Sequence, residues 1–266
     1  MVRPALSTWV DLSRLDLRRL DLRLGWLTAL LLAIACQAGP VQAVELAPTG
    51  LGSGLVAHWT FDEGGGTVAY DHSGNARHAT VTGGTWVEQG RFGGALQFDG
   101  TAYATVDPFP NATPSWTVSA WVRASSRDIT ETYVTVMSTE KLYTGGWELN
   151  LTPAPGFHFG YWIGPSPYEY ADYPCPCLTS DQWTLATVVL DSATSTFSLY
   201  RDGVVQSTGS GARPISPGES VLYLGKWSGG DDRRLVAYLD DIVIYNRALF
   251  PEEVAALCEH SPPDPQ

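Results

Sequence analysis

Cysteine is scarce in this chain of 266 residues, which has only Cys36, Cys175, Cys177 and Cys258. One residue separates Cys175 from Cys177, fewer than the roughly two to four between most paired zinc ligands, and no second cysteine pair or histidine cluster follows. A structural zinc site is therefore not expected. In an exported protein the same residues favour a disulfide, in which Cys258 pairs with Cys175 or Cys177 if the C-terminus packs beside their loop.

Basic residues are also few. The chain has 16 lysines and arginines against 28 acidic residues, so its formal net charge is −12. Only Lys141 and Lys226 are lysines, and no basic cluster alternates with aromatic residues. This charge balance is unsuited to a phosphate backbone, so nucleic acid is not expected as a partner.

Long hydrophobic runs are absent too. The apolar stretch Trp26–Ala35 spans ten residues, about half of the ~20 that cross a bilayer, so no membrane span is predicted. Arginines precede it, and a Gly-Pro pair and small residues follow it up to Ala43, which is typical of a secretory signal. We predict cleavage after Ala43 and a mature protein that is secreted, or held in the periplasm or at the cell surface. A lipoprotein signal at Cys36 is the alternative.

Short stretches rich in β-branched and aromatic residues follow one another from Leu55 to Phe250, with many of the 27 glycines at the turns between them. The stretch Trp116–Arg123 alternates cleanly, with Trp116, Val118, Ala120 and Val122 on one face. This pattern predicts an all-β fold of two antiparallel sheets packed as a sandwich.

A single short helix is predicted near the C-terminus, from Pro251 to Leu257. Proline at the first helical position and acidic residues in the first turn favour a helix N-terminus there. We therefore expect a linker at residues 44–54, one domain at 55–258, and a disordered tail at 259–266.

The strand predicted from Ala237 to Arg247 has two carboxylates in its middle, Asp240 and Asp241. Strict alternation places Asp240 with Ile242 on one face and Asp241 with Val243 on the other, and both faces are apolar. A buried carboxylate is costly unless it is hydrogen-bonded, paired or bound to a metal. The two alternatives are an aspartate that caps backbone N–H groups and a calcium site.

Six motifs occur in the order found in one known family: LVAHWTFDEG (55–64), DHSGN (71–75), GGALQFDG (93–100), WTVSAWV (116–122), LYRDG (199–203) and LDDIVIYNRAL (239–249). In them the chain resembles the laminin-G-like, concanavalin-A-like lectin and glucanase domains, which implies a jelly-roll sandwich. It departs from the family at Asp241, where glutamate is usual, and at Phe250, where serine or threonine is usual.

The resemblance also implies a structural calcium ion, because domains similar to this one bind Ca²⁺ where the 71–75 loop meets the last long strand. The implied ligand set comprises Asp71 and Asp240, then Asn75 and Asp241, with carbonyl groups near Ser73 and His78. Asp240 and Asp241 can ligate one ion only if a bulge or the strand end interrupts their alternation.

Catalytic motifs are missing. Laminarinase-like relatives carry Glu-x-Asp-x-x-Glu on one strand, and no such run occurs here. The nearest sequence is Glu148-Leu149-Asn150, in which the second acid is replaced by an amide, so we expect Glu148 to be an edge or rim residue. Neither a Gly-x-Ser-x-Gly elbow nor an HExxH motif is present. No catalytic residue is assigned and the chain is not expected to be an enzyme, a glycoside hydrolase being the alternative.

The segment from Tyr161 to Cys177 is rich in proline and aromatic residues and is longer than the connection that the family places there. Trp162, Tyr168, Tyr170 and Tyr173 are the candidate ligand-binding residues, since aromatic faces stack on apolar ligand surfaces. Alternatively, these rings pack back onto the sandwich. The function expected from the sequence is a secreted binding module for an extracellular glycan or protein ligand, with a passive spacer as a further alternative.

Overall fold

The structure is a computed structural model. It describes residues 50–110, 114–125, 127–129, 132–139, 146–153, 156–162, 179–211, 219–259 and 261–262. The signal segment, Cys36, Cys175 and Cys177 therefore lie outside the described residues.

Fifteen strands and one helix are assigned within the described residues. The strands are Leu55–Trp59 (β1), Val68–Ala69 (β2), Ala79–Thr82 (β3), Thr85–Val87 (β4), Ala95–Asp99 (β5), Tyr103–Pro110 (β6), Trp116–Arg123 (β7), Val134–Thr139 (β8), Gly146–Thr152 (β9), Gly156–Trp162 (β10), Thr184–Asp191 (β11), Thr196–Arg201 (β12), Val204–Ser210 (β13), Glu219–Leu224 (β14) and Val236–Tyr245 (β15). The helix is Pro251–Ala256 (α1).

The strands form two sheets. The first sheet has the order β13-β12-β11-β7-β15-β5-β4, with β1 also paired to β15, and the second has the order β10-β9-β8-β14-β6-β3-β2. Within each sheet, all the described strand pairs are antiparallel. The predicted all-β sandwich of two antiparallel sheets, with one short helix, is confirmed.

The inner faces of the two sheets enclose the main core. On β7, the four residues predicted to share one face, Trp116, Val118, Ala120 and Val122, all lie in this core. The same core contains large rings from both sheets, including Trp59 and Phe98 from the first and Trp147 and Phe159 from the second. Burial of these rings is the main favourable term that holds the sheets together.

A second apolar cluster lies on the outer face of the first sheet, beneath α1. Trp121 and Tyr245 of the sheet contact Val254 and Leu257 of the helix region there, and Leu51 joins them. The contribution of Leu51 shows that the segment predicted as a linker packs on the domain where it is described. Both faces of β15 are therefore covered, which explains why both faces read as apolar in the sequence.

The helix begins without a side-chain cap at Phe250. Instead, Glu253 Oε2 accepts the Phe250 N–H at 2.9 Å, and both Glu253 oxygens accept hydrogen bonds from Arg247 at 2.7 Å. The bond from the Phe250 N–H to Glu253 is one half of a capping box. The other half, a side-chain oxygen that accepts from the first turn, is missing because Phe250 has no side-chain acceptor. The Arg247 of the last family motif thus anchors the helix to the end of β15.

Gly225, which follows β14, provides a test of the packing. Its φ is +74°, and a β-carbon there would overlap the ring of Phe98 in the main core. We expect Gly225→Ala to lower the free energy of unfolding by roughly 2–4 kcal/mol, because strain and overpacking add. Urea unfolding followed by tryptophan fluorescence measures the change. Gly65→Ala is the matched control, since nothing lies within 4 Å of its added carbon; equal stability of the two variants would contradict this account.

Candidate functional site

The middle of β15 lies at a junction between strands. β15 pairs with β5 through Val236–Leu239 and then, on the same side, with β1 through Ile242–Tyr245. Asp240 and Asp241 lie where the partner of β15 changes from β5 to β1. The pairing with β7 shifts register between Asp240 and Val243, and Asp241 has a φ of +47°, so a β-bulge is present here.

The bulge changes which residues of β15 share a face. Leu239, Ile242 and Ile244 all belong to the main core, whereas Val243 and Tyr245 belong to the outer cluster. Strict alternation from the sequence placed Asp240 on the same face as Ile242, and this assignment is wrong because the bulge inserts one residue between them. The interruption that a shared site for Asp240 and Asp241 requires is therefore present.

Asp240 is fully buried, with 0% of its surface exposed. Its Oδ2 accepts hydrogen bonds from the backbone N–H groups of Arg91, at 2.6 Å, and Phe92, at 2.9 Å. Its Oδ1 is buried and has no hydrogen-bond partner among the described residues. Burial raises the pKa of Asp240 to about 8, the Phe92 and Arg91 donors oppose the rise, and the neighbouring carboxylates of Asp241 and Asp62 add to it.

Other oxygen atoms lie around this carboxylate, in a region that we call the Asp240 junction. It is formed by Asp240, by residues 60–62 after β1, and by residues 90–94 before β5. Asp62 Oδ1 accepts the Gly94 N–H, and a β-carbon on Gly94 would lie 2.7 Å from the Phe61 carbonyl oxygen. Thr60 Oγ1 is buried without a partner. The chain thus brings the Asp62 carboxylate and the Gly94 carbonyl oxygen close to Asp240.

The Asp71 loop is organised differently. Asp71 Oδ1 accepts the N–H groups of His58 and Ser73, both at 2.9 Å. Its Oδ2 accepts the Ser73 hydroxyl and the Arg77 N–H, both at 2.8 Å. Burial alone would raise the pKa of Asp71, but these four hydrogen bonds outweigh it and hold the pKa below its ordinary value. The carboxylate acts here as an acceptor that shapes the loop.

The remaining residues of this loop complete its hydrogen bonding. Asn75 Nδ2 donates to the carbonyl oxygens of Leu55 and Val56 at 3.0 Å, and His78 Nδ1 accepts the Asp71 N–H at 3.0 Å. Asp71 pairs with Trp59 of β1 and Trp59 pairs in turn with Ile242, so β1 lies between this loop and β15. The structure therefore keeps Asp71, Ser73, Asn75 and His78 together and separates them from Asp240.

Asp241 has a different partner again. Its Oδ1 lies 2.6 Å from His58 Nε2 and accepts the Ser261 hydroxyl at 2.7 Å. Both His58 and Asp241 are buried. Asp241 is thus hydrogen-bonded by protein groups, but by a histidine and not by the backbone N–H groups of the capping alternative. Ser261, which lies in the predicted tail, packs against the pair. Among the residues that the structure describes, no group of three or more His, Cys, Asp and Glu side chains is arranged to hold a metal.

The outer face of the second sheet carries a buried polar cluster. Glu148 in β9 is only 5% exposed, and Arg233 Nη1 lies 3.3 Å from its Oε2. Beside it, the Thr135 hydroxyl donates to Asn150 Oδ1 at 2.8 Å, and Asn150 Nδ2 lies 3.3 Å from His158 Nδ1. Burial raises the pKa of Glu148, and Arg233 and Asn150 oppose the rise.

The sequence suggested that Glu148 is an edge or rim residue, and this prediction is wrong because the side chain is buried. β9 lies between β8 and β10, and Glu148 pairs with Ser138 and Gly160. The expectation failed because a single acid between apolar residues gives no information on what covers it.

Four partly exposed aromatic residues surround this cluster on the same outer face, and we call them the aromatic band: Tyr103, Tyr133, Tyr223 and Trp227. Tyr133 packs on His158 with ring centres 4.4 Å apart, and Arg233 lies over both Tyr133 and Trp227. Lys226 lies over Tyr103 and Tyr223. The alternation Ala102-Tyr103-Ala104 and Leu222-Tyr223-Leu224 is the signal that marks two of these rings as outward-facing.

The aromatic segment identified from the sequence is mostly outside the described residues. Trp162 ends β10, and Tyr168, Tyr170 and Tyr173 lie in the part that is not described. Their role stays a prediction. The disulfide also stays a prediction, because Cys258 is buried beneath α1 while both candidate partners lie outside the described residues.

Residues 98–255 match a family model described as the concanavalin A-like lectin/glucanases superfamily. The chain belongs to this superfamily. The resemblance seen in the six sequence motifs is thereby confirmed. No curated protein matches the sequence at a significant level.

Several solved structures share the fold. The binding domain of Paraclostridial Mosquitocidal Protein 1 superposes with a TM-score of 0.62 at 20% identity, covering 78% of this chain and 52% of that one. Domain 4 of AbnA, a GH43 extracellular arabinanase from Geobacillus stearothermophilus, in complex with arabinotriose, gives 0.60 at 22% identity, covering 77% and 98%. The Botulinum neurotoxin serotype G binding domain gives 0.60 at 14%, covering 77% and 50%. The chain thus spans about half the length of the two toxin domains.

Asp71 gives a test that separates loop shaping from metal binding. We expect Asp71→Asn to lower the free energy of unfolding by about 1–3 kcal/mol at neutral pH, because the amide N–H₂ cannot accept the bonds made by Oδ2. Since the folded-state pKa is depressed, this stabilisation is present above the ordinary aspartate pKa of about 3.9 and is lost as the pH falls through the lower folded-state value.

Urea unfolding at neutral and acidic pH, with excess calcium and with chelator, measures the effect. The exposed Asp232→Asn is the control and should change stability little at either pH. A loss that appears only when calcium is present would show that Asp71 is a metal ligand after all.

Proposed function

We propose that this chain is a non-catalytic carbohydrate-binding module that binds its ligand on the outer face of the second sheet. The observation that supports this most directly is the aromatic band around the buried Glu148. Sugars present C–H faces that pack on aromatic rings and hydroxyl groups that bond to carboxylates and amides. The rings of the band are partly exposed, and the cations Lys226 and Arg233 lie over them. Glu148 and Asn150 are themselves buried and bonded within the protein, so they hold the face in place.

The arrangement of the face favours recognition over hydrolysis. Retaining glycosidases need two carboxylates about 5–5.5 Å apart, and inverting enzymes need about 6.5–9.5 Å. Around Glu148, the next outward position on β9 is Asn150, and its cross-strand neighbours are Ser138 and Gly160. Glu148 itself is held against Arg233. Within the described residues, this site therefore offers one carboxylate where hydrolysis needs two.

Rigidity of the face supports the same function. Arg233 has a φ of +60° in the left-handed region, and its carbonyl oxygen accepts the Thr135 N–H at 2.9 Å. A non-glycine residue held in this conformation costs free energy, and such residues concentrate at functional sites. Preformed contacts reduce the ordering cost of binding a flexible glycan.

A bound oligosaccharide of one structural neighbour guides the choice of ligand. Domain 4 of AbnA is described in complex with arabinotriose, and this chain covers 98% of that domain. At 22% identity the likeness supports the fold alone, so arabinotriose enters as a first test compound together with other neutral trisaccharides. No described helix is long and apolar enough to cross a bilayer. The proposed place of action, outside the cell or at its surface, follows from the signal sequence predicted to end at Ala43.

We further propose that a calcium ion stabilises the fold at the Asp240 junction. Asp240 Oδ1 is an unpartnered oxygen in a fully buried carboxylate, and Ca²⁺ takes six to eight oxygen ligands that include backbone carbonyls. Asp62 and the carbonyl groups of residues 61 and 94 are the further candidates. Asp71 is not in this set, because its oxygens already accept four hydrogen bonds. The ion would supply the positive charge that the buried carboxylate of Asp240 lacks.

The glycan proposal is tested on the aromatic band. We expect isothermal titration with arabinotriose, xylotriose and cellotriose to find binding to at least one, and Trp227→Ala or Tyr223→Ala to weaken it about tenfold or more, as expected for a stacking ring central to an interface. Phe250→Ala is the matched control, because this ring is 65% exposed at the start of α1 and away from the band. Undiminished binding by both band variants would contradict the proposed site.

The calcium proposal is tested by melting. An ion that binds only the folded state stabilises it by about 2.7 kcal/mol at a hundredfold excess over its dissociation constant, which is a shift of several degrees for a domain of this size. We expect Asp240→Asn to abolish the difference between calcium-loaded and chelated samples, and Asp71→Asn to preserve it. Identical wild-type melting curves with calcium and with a chelator shown to strip the ion would exclude the site.

A further inference from the structure

A groove of about 400 Å³ opens on the outer face of the first sheet, away from the aromatic band. Its lining includes Arg91, Trp121, Arg123, Trp183, Arg201 and Asp202. A second groove of about 410 Å³ adjoins it and shares Arg123 and Asp181. Three of the nine arginines that follow residue 43 thus gather here, in a protein whose net charge is strongly negative. We call this region the Arg123 groove.

Arg123 is held between two aromatic rings. It ends β7 directly across from Tyr238 of β15, and its guanidinium carbon lies 4.1 Å from the centre of the Tyr238 ring. Trp183, the residue before β11, has its ring centre 5.1 Å from the same carbon. Cation–π contacts of this kind fix the plane of the guanidinium group. Two rings therefore restrict the position of the guanidinium group, whose N–H donors lie at its edge.

No described residue of the protein uses these donors. Arg123 makes no side-chain hydrogen bond or ion pair with any described residue, and none of its nitrogen atoms is among the buried unpartnered ones, so solvent reaches them. Asp181, which lines both grooves, makes its side-chain hydrogen bond with Ser180 instead. Arg123 is therefore a pre-oriented cation whose donor edge faces the groove.

The other two arginines of the groove are engaged. Arg201 Nε lies 3.2 Å from Asp202 Oδ2, and its Nη2 donates to the Thr179 hydroxyl at 2.6 Å. Arg91 stacks over Trp121 at 4.6 Å and donates to the Cys258 carbonyl oxygen. Arg201 is thus paired with an acid and Arg91 with a carbonyl group, and Arg123 is the member of the three whose donor edge is open to a ligand.

We propose that the Arg123 groove binds the carboxylate of an acidic sugar residue, a hexuronate. A guanidinium edge matches a carboxylate with two parallel hydrogen bonds. The half-buried Trp183 ring offers an apolar surface for the sugar, the exposed Gln182 amide offers polar atoms for its hydroxyls, and the volume lies in the range of ligand pockets, about 300–1,000 Å³. This site is separate from the aromatic band, so a test that contradicts one of the two binding proposals leaves the other standing.

Isothermal titration of the mature protein with digalacturonate, the neutral disaccharide galactobiose, and acetate tests the proposal. We expect digalacturonate to bind, galactobiose and acetate to bind at least tenfold more weakly, and high salt to weaken the complex. Arg123→Gln should reduce affinity about tenfold or more, and Arg123→Lys, which keeps the charge and loses the planar fork, should reduce it severalfold. Melting curves show that both variants are folded.

Arg127→Gln is the matched control, because it removes the same charge from an exposed position of the neighbouring loop; it should keep digalacturonate affinity within about twofold. Trp227→Ala should likewise leave this binding unchanged. Undetectable binding of digalacturonate, or equal losses in Arg123→Gln and Arg127→Gln, would overturn the proposal. Equal affinity for acetate would also overturn it, since it would reveal a general anion site with no role for the sugar.

Discussion

β15 must hydrogen-bond to β7 along one edge and to β5 and then β1 along the other. Between the start of β5 and the end of β1, no described strand pairs with Asp240 and Asp241 on that side. Their polar groups need other partners because the region is buried. The bulge at Asp241 turns them towards loops and strand ends. The loop before β5, the end of β1 and the segment after α1 all converge on this point.

Three aspartates near β1 and β15 show how much the surroundings of one residue type decide its chemistry. Asp71 accepts four hydrogen bonds, which favour its charged form. Asp241 is matched by His58. Asp240 has two donors on one oxygen and none on the other, so its charged form is disfavoured by burial. The one that the protein leaves incompletely satisfied is the one best suited to an ion.

The sequence predicted the parts of the fold that depend on local pattern. Alternation in Trp116–Arg123 identified its core face, and Pro251 with its glutamates identified the helix, because each signal is contained in a few neighbouring residues. The sequence shows that Asp240 and Asp241 can share an ion only if a bulge interrupts β15. It does not show which residues then share a face, since this depends on the pairing of β15 with its neighbouring strands. The resemblance groups Asp71 with Asp240 as implied ligands, and the sequence does not show that β1 lies between the Asp71 loop and β15.

The candidate binding faces were harder to predict for a related reason. The aromatic band takes Tyr103 from β6, Tyr223 from β14 and Tyr133 from the start of β8, so its members are adjacent only after the second sheet forms. The aromatic segment at 161–177 is contiguous, so the sequence pattern alone identifies it as a candidate binding segment. Neighbouring strands of an antiparallel sheet bring together residues far apart in the chain, and their shared face has no linear signature.

The preference for arginine over lysine has a structural consequence that links the two outer faces. Arg91, Arg123, Arg233, Arg234 and Arg247 all lie over aromatic rings. A planar guanidinium stacks on a ring and still donates from its edge, which the ammonium group of lysine does less well. On the second sheet Arg233 directs that edge at Glu148, so its charge is matched within the protein. On the first sheet Arg123 makes no ion pair with any described acid. This difference makes Arg233 an internal brace and Arg123 a candidate ligand contact.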